Sequence, residues 1–399
     1  MSVLHISEPY EARLLETPFH ARTSAACQSR DWLPWAGYAT PNSYTSVTRE
    51  YFAIRNAAAV IDVSPMVKYA ISGPDGLAFL NRLLTRDITR LAPGRVAYAL
   101  WCDDAGKVID DGTLFHLGDG NYRLLSQERH LPWLLDTAFG MEVSIKDVSA
   151  DIAGLAIQGP TSAALLRALG LSGIDTLKPF GMNRFNLGDL SLEVSRTGFT
   201  GDLGYEIWVA SESALTLWDR LMEAGQTYGL TPAGSRALDM ARIEAGFIQA
   251  NVDFLAGGEP TRPGRLSTPY ELDFGWLVDL KKGHFIGRRA LVAAHATGPR
   301  RVLVGLDIAG NKPANDAFIY RGRRRQVGTV TSTLWSPTVK RNIALAWIDA
   351  PHHLAEDGLW AEIYVRRELK WDRIAAPARI VDRRFFDPAR RRATPPGDR

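Results

Sequence analysis

YAISGPDGLAFLNRLL, residues 69–84, and LAIQGPTSAALLRAL, residues 155–169, repeat one plan within a single chain. Each opens on a short strand-like run (Tyr69–Ser72 and Leu155–Gln158), breaks at Gly-Pro, and continues with apolar residues at helical spacing (Asp75–Leu84 and Thr161–Leu169). A strand that turns sharply into an amphipathic helix lays that helix back across its own sheet. The repeat therefore implies two related α+β units.

Between the copies lies a meander of three strands, VAYALWC, VIDDGTLFHL and YRLLS, joined by the turns DDAGK and GDGN. After the second copy, residues 185–210 read as two strands around a glycine-containing loop, followed by helical segments at Ser211–Tyr228 and Arg236–Phe247. Upstream, the spacing over Tyr51–Val60 suits a short helix. Residues 1–50, with Trp32, Trp35, Tyr38 and Tyr44, read as an irregular aromatic arm. Residues 255–269 form a Gly/Pro-rich loop. From residue 296 the pattern changes to short strands at regular turn spacing (RVLVGLDI, FIYRGRR, QVGTVTSTLW, IALAWI, WAEIYVRR), which implies an antiparallel β-barrel or sandwich. The resulting organisation is 1–60 plus 149–290 as a first α+β domain, 61–148 as an inserted α+β domain, 296–388 as a β-barrel and 389–399 as a mobile tail.

Composition bounds the chemistry. The 399 residues are 46% apolar and 23% charged, the usage of a globular protein rather than a disordered or fibrous one. Basic and acidic side chains number 47 and 44, for a net charge of +3, which argues against a nucleic-acid partner. The basic set is lopsided, with 9 Lys and 38 Arg. Two cysteines, Cys27 and Cys102, build no disulfide framework, and a reducing cytoplasm is the expected compartment. No secretory leader is apparent, and no apolar run approaches the ~20 residues that span a bilayer, so no membrane association is expected. Zinc spacing, a GxSxG elbow and a GxxxxGK[ST] phosphate loop are all missing from the sequence.

Two features stand out. The strand Val108–Leu117 is mostly apolar yet carries Asp110 and Asp111 before Gly112. Side chains alternate along a strand, so the two carboxylates point to opposite faces, one toward solvent and one toward the interior. An inward carboxylate can accept a proton or stabilise positive charge on a substrate, while glycine lets a ligand or a backbone come close. Asp-Asp-Gly also reads as a plain turn or bulge. The second feature is SRTGFTGDLGYE, residues 195–206, in which Glu206 and Trp208 share a strand face. A carboxylate beside an aromatic ring can grip a flat heterocycle through paired N–H donors. A surface loop with an edge-strand glutamate reads equally well. The run RGRRR at 321–325 reads as a charged hairpin, and His352-His353 as a solvated loop.

The segments IDVSPMVKYAISGPDGLAFLNRLLTRDI, GKVIDDGTLF, SRTGFTGDLGYEIWV, PAGSRALDMARIEAG, TPYELDFGWLVDLKKGHFIGRRAL, VGTVTSTLWSPTVKRNIALAWI and FFDP occur in the order seen in one family. Over residues 45–388 the chain resembles the glycine cleavage T-protein, or aminomethyltransferase, family, in a divergent demethylase-like or one-carbon lyase-like branch. The resemblance implies a three-domain cloverleaf ring with a C-terminal antiparallel β-barrel, around a channel that binds tetrahydrofolate. It implies that Asp111 is the catalytic aspartate, that Glu206 grips the pterin, and that Met66 and Tyr98 line the channel. Ser126 aligns with a folate-touching asparagine. Leu238 stands where the T-protein carries a folate-contacting arginine, and Arg236 is a candidate to replace it.

Pro65 in place of histidine, Lys68 in place of an acid, and Asn251 in place of a glycine set the chain apart from T-proteins proper. The function expected is transfer of a methyl or methylene unit to tetrahydrofolate from a small substrate, for which Trp32, Trp35, Tyr38 and Trp101 point to apolar or aromatic character. A second expectation keeps the fold and releases the unit as formaldehyde without folate. A third, a non-enzymatic folate-binding iron–sulfur maintenance protein, is disfavoured because KKGHFIGRRA lacks the KGCYxGQE motif of that branch. A small-molecule substrate is the only partner expected, and the oligomeric state stays open.

Overall fold

The structure is a computed structural model and describes residues 13–257, 262–322, 324–355 and 357–396. Its first unit is a six-stranded sheet in the order Met182–Leu187, Leu190–Ser195, Gly204–Ala210, Ile152–Gln158, Ala58–Asp62, Leu230–Pro232. All neighbours are antiparallel except the last pair, which is parallel. The apolar run IAGLAIQ suits a central strand covered on both faces. Ala153, Leu155 and Ile157 pack under the helices Ser162–Ala168 and Ala214–Gly225, while Ala156 faces the helices Val47–Asn56 and Ser235–Glu244.

The second unit is a five-stranded antiparallel sheet, Arg95–Cys102, Val108–Gly118, Asn121–Ser126, Val67–Ser72, Ser144–Asp147, backed by the helices Gly76–Leu83 and Leu131–Thr137. It leaves the six-stranded sheet after Asp62 and returns to it at Ile152. In both units the Gly-Pro break of the repeat has the same cause. Gly73 and Gly159 adopt φ of +117° and +130°, and a Cβ on them would lie 2.6 Å from the Glu142 carbonyl oxygen and 2.4 Å from that of Ala57. Only glycine supplies both that backbone conformation and that clearance.

The third unit is a closed six-stranded barrel, Arg301–Ile308, Arg341–Asp349, Arg325–Ser336, Phe318–Arg321, Leu359–Arg367, Lys370–Val381. RGRRR connects two adjacent barrel strands, its residue 323 lying outside the described residues. Among the described residues no helix is long and apolar enough to cross a membrane.

Several local expectations are corrected. Ala58–Asp62 is a strand, not the end of a helix, because this wholly buried segment lies between two sheet partners. Three strands rather than two occupy 182–210, Met182–Leu187 being the additional one. The barrel has a sixth strand, Lys370–Val381, whose charged outward residues hid its apolar alternation. The aromatic arm is regular from residue 13, with a helix at His20–Ala26 and a hairpin of Asp31–Trp35 with Tyr38–Ser43. Its residues 1–12 lie outside the description. The segment 389–396, expected as a tail without fixed contacts, is docked: Arg390 makes a two-armed ion pair with buried Asp202 at 2.6 and 2.8 Å, and Arg196 donates to the Ala393 carbonyl. Residues 397–399 are outside the description. The loop 255–269, without residues 258–261, lies along the start of the meander's second strand, where Gly257 donates to the Ile109 carbonyl and Val108 to that of Ser267.

Arg55 has 4% of its surface exposed and is held by Glu244 at 2.7 Å, by Asp202 at 3.3 Å, and by the carbonyls of Thr200 and Ala241. Replacing Arg55 with Ala leaves buried Glu244 without a cationic partner, while Asp202 keeps Arg390, and we expect a loss of about 3–5 kcal/mol in urea unfolding. A Cβ on Gly112 would lie 1.9 Å from the Leu125 carbonyl oxygen. Gly112→Ala should cost about 3 kcal/mol or more in the same measurement, because one of two paired strands must move.

Candidate functional site

Asp110 and Asp111 do point to opposite faces, but neither faces open solvent. Asp110 is completely buried and Asp111 is half-buried. Gly112 accommodates the neighbouring strand's backbone and not a ligand, since it is the Leu125 carbonyl that occupies the space beside it. On the face of Asp111, the opposed pairs Val96–Phe115, Tyr98–Thr113 and Leu100–Asp111 run in register. Val96 and Phe115 pack into the core shared with the six-stranded sheet, whereas Leu100 and Tyr98 pack toward Phe274, Leu303 and Trp347 on the barrel side. Asp111 thus sits where the three units meet.

The Tyr98 hydroxyl donates to Asp111 Oδ2 at 2.6 Å. Burial, and then the like charge of Asp110, push the Asp111 carboxyl up to about 7, against the lowering effect of the Tyr98 hydrogen bond. A carboxyl in that range carries a proton part of the time at neutral pH. The Tyr98 ring meets Phe274 edge-on at 5.7 Å and lies 6.3 Å from Trp276, whose ring is 66% exposed. Trp276 is therefore an open aromatic face beside the Asp111–Tyr98 pair.

Glu206 lies on the strand Gly204–Ala210, on the same face as Trp208. Gly154 makes room for the Trp208 ring, which would sit 2.3 Å from a Cβ there. Trp208, Ala156, Phe115 and the half-buried Met66 belong to one cluster between the two sheets. Asp111 and Glu206 therefore project from sheet faces that close on the same core, from opposite sides. Thr197 donates to Glu206 Oε2 at 2.5 Å, and Oε1 has no protein partner among the described residues. Burial raises the Glu206 carboxyl above its ordinary range.

Two of the expected contacts are corrected. Ser126 is fully buried and its hydroxyl donates to the Glu128 carbonyl at 2.8 Å, which shapes a turn instead of presenting a ligand contact. Arg236 is 60% exposed and pairs with Asp31 at 3.7 Å. Leu238 packs on the inter-sheet cluster, and two residues along a helix is about 200° of rotation, so Arg236 cannot reach around to replace an arginine at 238. Trp101 is wholly buried among Leu80, Leu83 and Leu114 on the Asp110 side, away from Asp111. Three participants were not read from the sequence: Thr197, His130 and Trp276. Thr197 and His130 act through pairings that only the folded strands create, and Trp276 sits in a one-turn 3₁₀ segment without periodicity.

Lys68 is buried, its ammonium donating to the carbonyls of Ser64 at 2.7 Å and Ser149 at 3.4 Å and lying 5.7 Å from the Trp208 ring. Burial pulls it down to about 7.

Comparison with known proteins fits this geometry. The GCVT N-terminal domain matches residues 20–282, and the glycine cleavage T-protein C-terminal barrel domain matches residues 301–387. An aminomethyltransferase from Caldanaerobacter subterraneus subsp. tengcongensis is 36% identical over 89% of this chain and 91% of its own. A trimethylamine-oxide aldolase from Ruegeria pomeroyi is 35% identical over 94% of this chain, which spans only 48% of that larger protein. The crystal structure of glycine cleavage system aminomethyltransferase T from Bartonella henselae superposes with a TM-score of 0.81, covering 94% of this chain and 99% of that one at 24% identity, and so shares the fold. With both of its domain signatures matched in order and a full-length relative above one-third identity, the chain belongs to the glycine cleavage T-protein family of aminomethyltransferases.

Proposed function

We propose that this protein moves a one-carbon unit from a small methylated or hydroxymethylated substrate to tetrahydrofolate, with Asp111 as the proton-handling group. The observation that carries this reading is Asp111 itself: a half-buried carboxyl at the junction of three units, bonded to Tyr98 and able to hold a proton near neutrality. Tetrahydrofolate suits the opposite side of the same core. One Glu206 oxygen is fixed by Thr197 and the other is free to accept from a flat N–H-bearing ring, which is what the donor edge of a reduced pterin presents. Glu206 would hold that edge, with Met66 and the exposed Trp276 ring offering apolar faces. When bound, tetrahydrofolate supplies the nucleophilic nitrogen that accepts the one-carbon unit.

Tyr98 fixes Asp111 Oδ2 and leaves Oδ1 for the substrate. Ionised, Asp111 can take a proton from a hydroxymethyl or amine group and stabilise the cationic carbon that develops as its C–N or C–O bond loosens. Protonated, it can return that proton to the departing heteroatom.

A second reading has its own support. The trimethylamine-oxide aldolase relative covers almost this entire chain, and Leu238 and the outward Arg236 remove a cationic contact on the folate side. In that reading Asp111 releases the unit as formaldehyde.

Consumption of trimethylamine N-oxide and of small hydroxymethyl-bearing amines, followed together with formaldehyde release with and without tetrahydrofolate, separates the two readings. Consumption that requires folate and leaves the carbon on it supports transfer, and stoichiometric formaldehyde release in its absence overturns it. Asp111→Asn should lower turnover by about 10²–10⁴-fold while leaving tetrahydrofolate binding by calorimetry intact. Glu206→Gln should weaken that binding roughly 10-fold or more, because a charged acceptor becomes neutral. If Asp111 acts as a base, the rate rises with pH through about 7 as it ionises. Removing the Tyr98 hydroxyl removes a hydrogen bond that favours the anion, so Tyr98→Phe should move that limb to higher pH.

A further inference from the structure

Behind Asp111, on the other face of the same strand, Asp110 is enclosed by hydrogen-bond donors. Its Oδ1 accepts from the Asp111 N–H at 2.8 Å, and its Oδ2 accepts from His130 Nε2 at 2.8 Å and from the Glu128 N–H at 3.3 Å. Two backbone N–H groups and one ring nitrogen thus commit both of its oxygens. His130 is itself fixed. Its backbone N–H donates to the Tyr69 hydroxyl at 2.6 Å, its ring meets Trp101 edge-on at 5.5 Å, and 7% of its surface is exposed. The turn that delivers both the Glu128 N–H and His130 is the one closed by Ser126.

We propose that the Asp110–His130 pair is the positioning element of the Asp111 site, fixing the Asp111 backbone and placing a negative charge directly behind its carboxyl to govern when that carboxyl takes up a proton. The inference rests on Asp111 being the reactive acid. Two consequences follow from the geometry. The Asp111 N–H is tied down by its neighbour's side chain, so the carboxylate leaves the strand at a set angle toward Tyr98. The charge one residue away favours the protonated form of Asp111, acting with burial. The His130 ring and the Glu128 N–H hold Asp110 in place behind Asp111, the member of the two adjacent acids that faces the inter-unit core.

The other groups around the pair do not supply this charge. Tyr98 donates to Asp111, and Arg383, whose guanidinium lies 5.3 Å from the Phe274 ring, acts on the Tyr98 side. Tyr69 and Trp101 are neutral. Glu128 contributes its backbone, its side chain being approached by the Asn251 amide at 3.5 Å.

The test reads Asp111 titration through stability, independently of any substrate. A carboxyl raised in the folded state binds its proton there at pH values where the unfolded chain has lost it. Stability therefore falls as pH rises from about 4 toward about 7 and levels off above. Urea unfolding of the unmodified protein and of Asp111→Asn between pH 4.5 and 9 should show a gap in favour of Asp111→Asn that grows to a break near pH 7. In an Asp110→Asn background the break should move down by about one pH unit or more. His130→Leu should move it the same way, because Asp110 then loses the side-chain partner that holds it behind Asp111. His130→Gln, which keeps an N–H donor, should leave it in place. A break that stays near pH 7 in Asp110→Asn or His130→Leu overturns the proposal, and if Asp110→Asn does not fold, His130→Leu carries the test. Turnover of Asp111→Asn decides separately whether Asp111 is the reactive acid, so failure of that reading is distinguishable from failure of this one.

Discussion

The joint between the six-stranded unit, the barrel and the C-terminal segment depends on one buried cation. Arg55, near the end of the helix Val47–Asn56, binds Glu244 on the helix Ser235–Glu244, the Thr200 carbonyl and Asp202 in the loop that leads into the Glu206 strand, and through Asp202 the C-terminal Arg390. Glu244 in turn accepts from Tyr51 and from Ser336 of the barrel. Each of these elements approaches the others because an unpaired charge in this interior is prohibitive, so the ion cluster dictates their spacing. A parallel clamp, Arg242 with Asp253, Ser332 and the Trp347 indole N–H, repeats the arrangement closer to the barrel. Two of the chain's arginines, Arg55 and Arg242, thus serve interior joints.

The same logic explains how a strand of ordinary appearance carries chemistry. Asp110 and Asp111 are neighbours in sequence and opposites in environment. One lies in a nest of hydrogen-bond partners that commits both of its oxygens, and the other lies at a junction of apolar surfaces with a single phenol for company. Chemically identical side chains are made different by the two-residue period of the strand and by what each sheet face happens to cover. Glu206 reaches its state by similar means, one oxygen committed and the other open.

Much of this was written in the sequence at the level of pattern. The repeated Gly-Pro could be read because glycine at a left-handed turn against a neighbouring carbonyl has no substitute, so the constraint survives as two letters at matching places. Asp111 and Glu206 could be singled out because carboxylates are out of place in apolar strands. What escaped depended on distance in the chain. Ala58–Asp62 is compatible with a helix until its two strand partners are known. Ser126 sat at an aligned position and Arg236 two residues before one, yet the turn at Glu128 and the rotation of a helix directed their side chains elsewhere. His130 gave no signal because its meaning lies in a carboxylate twenty residues earlier, and Thr197 because its hydroxyl finds Glu206 across a loop.

The insertion of one sheet into another also bears on how the chain reaches its native state. Ala58–Asp62 pairs with Ile152–Gln158 and Leu230–Pro232, so the centre of the six-stranded sheet is not completed until everything between has been synthesised. In the five-stranded sheet, by contrast, two of the four pairings are hairpins between consecutive strands. Loop-closure entropy favours the nearer contacts first, so the inserted unit, bearing Asp111, is poised to fold early and to bring together the two halves of the sheet that bears Glu206. A nascent chain would accordingly hold Asp111 in place well before the strand that carries Glu206 had its partners, and the two carboxylates come to share one core only as the long-range strand pairing is made.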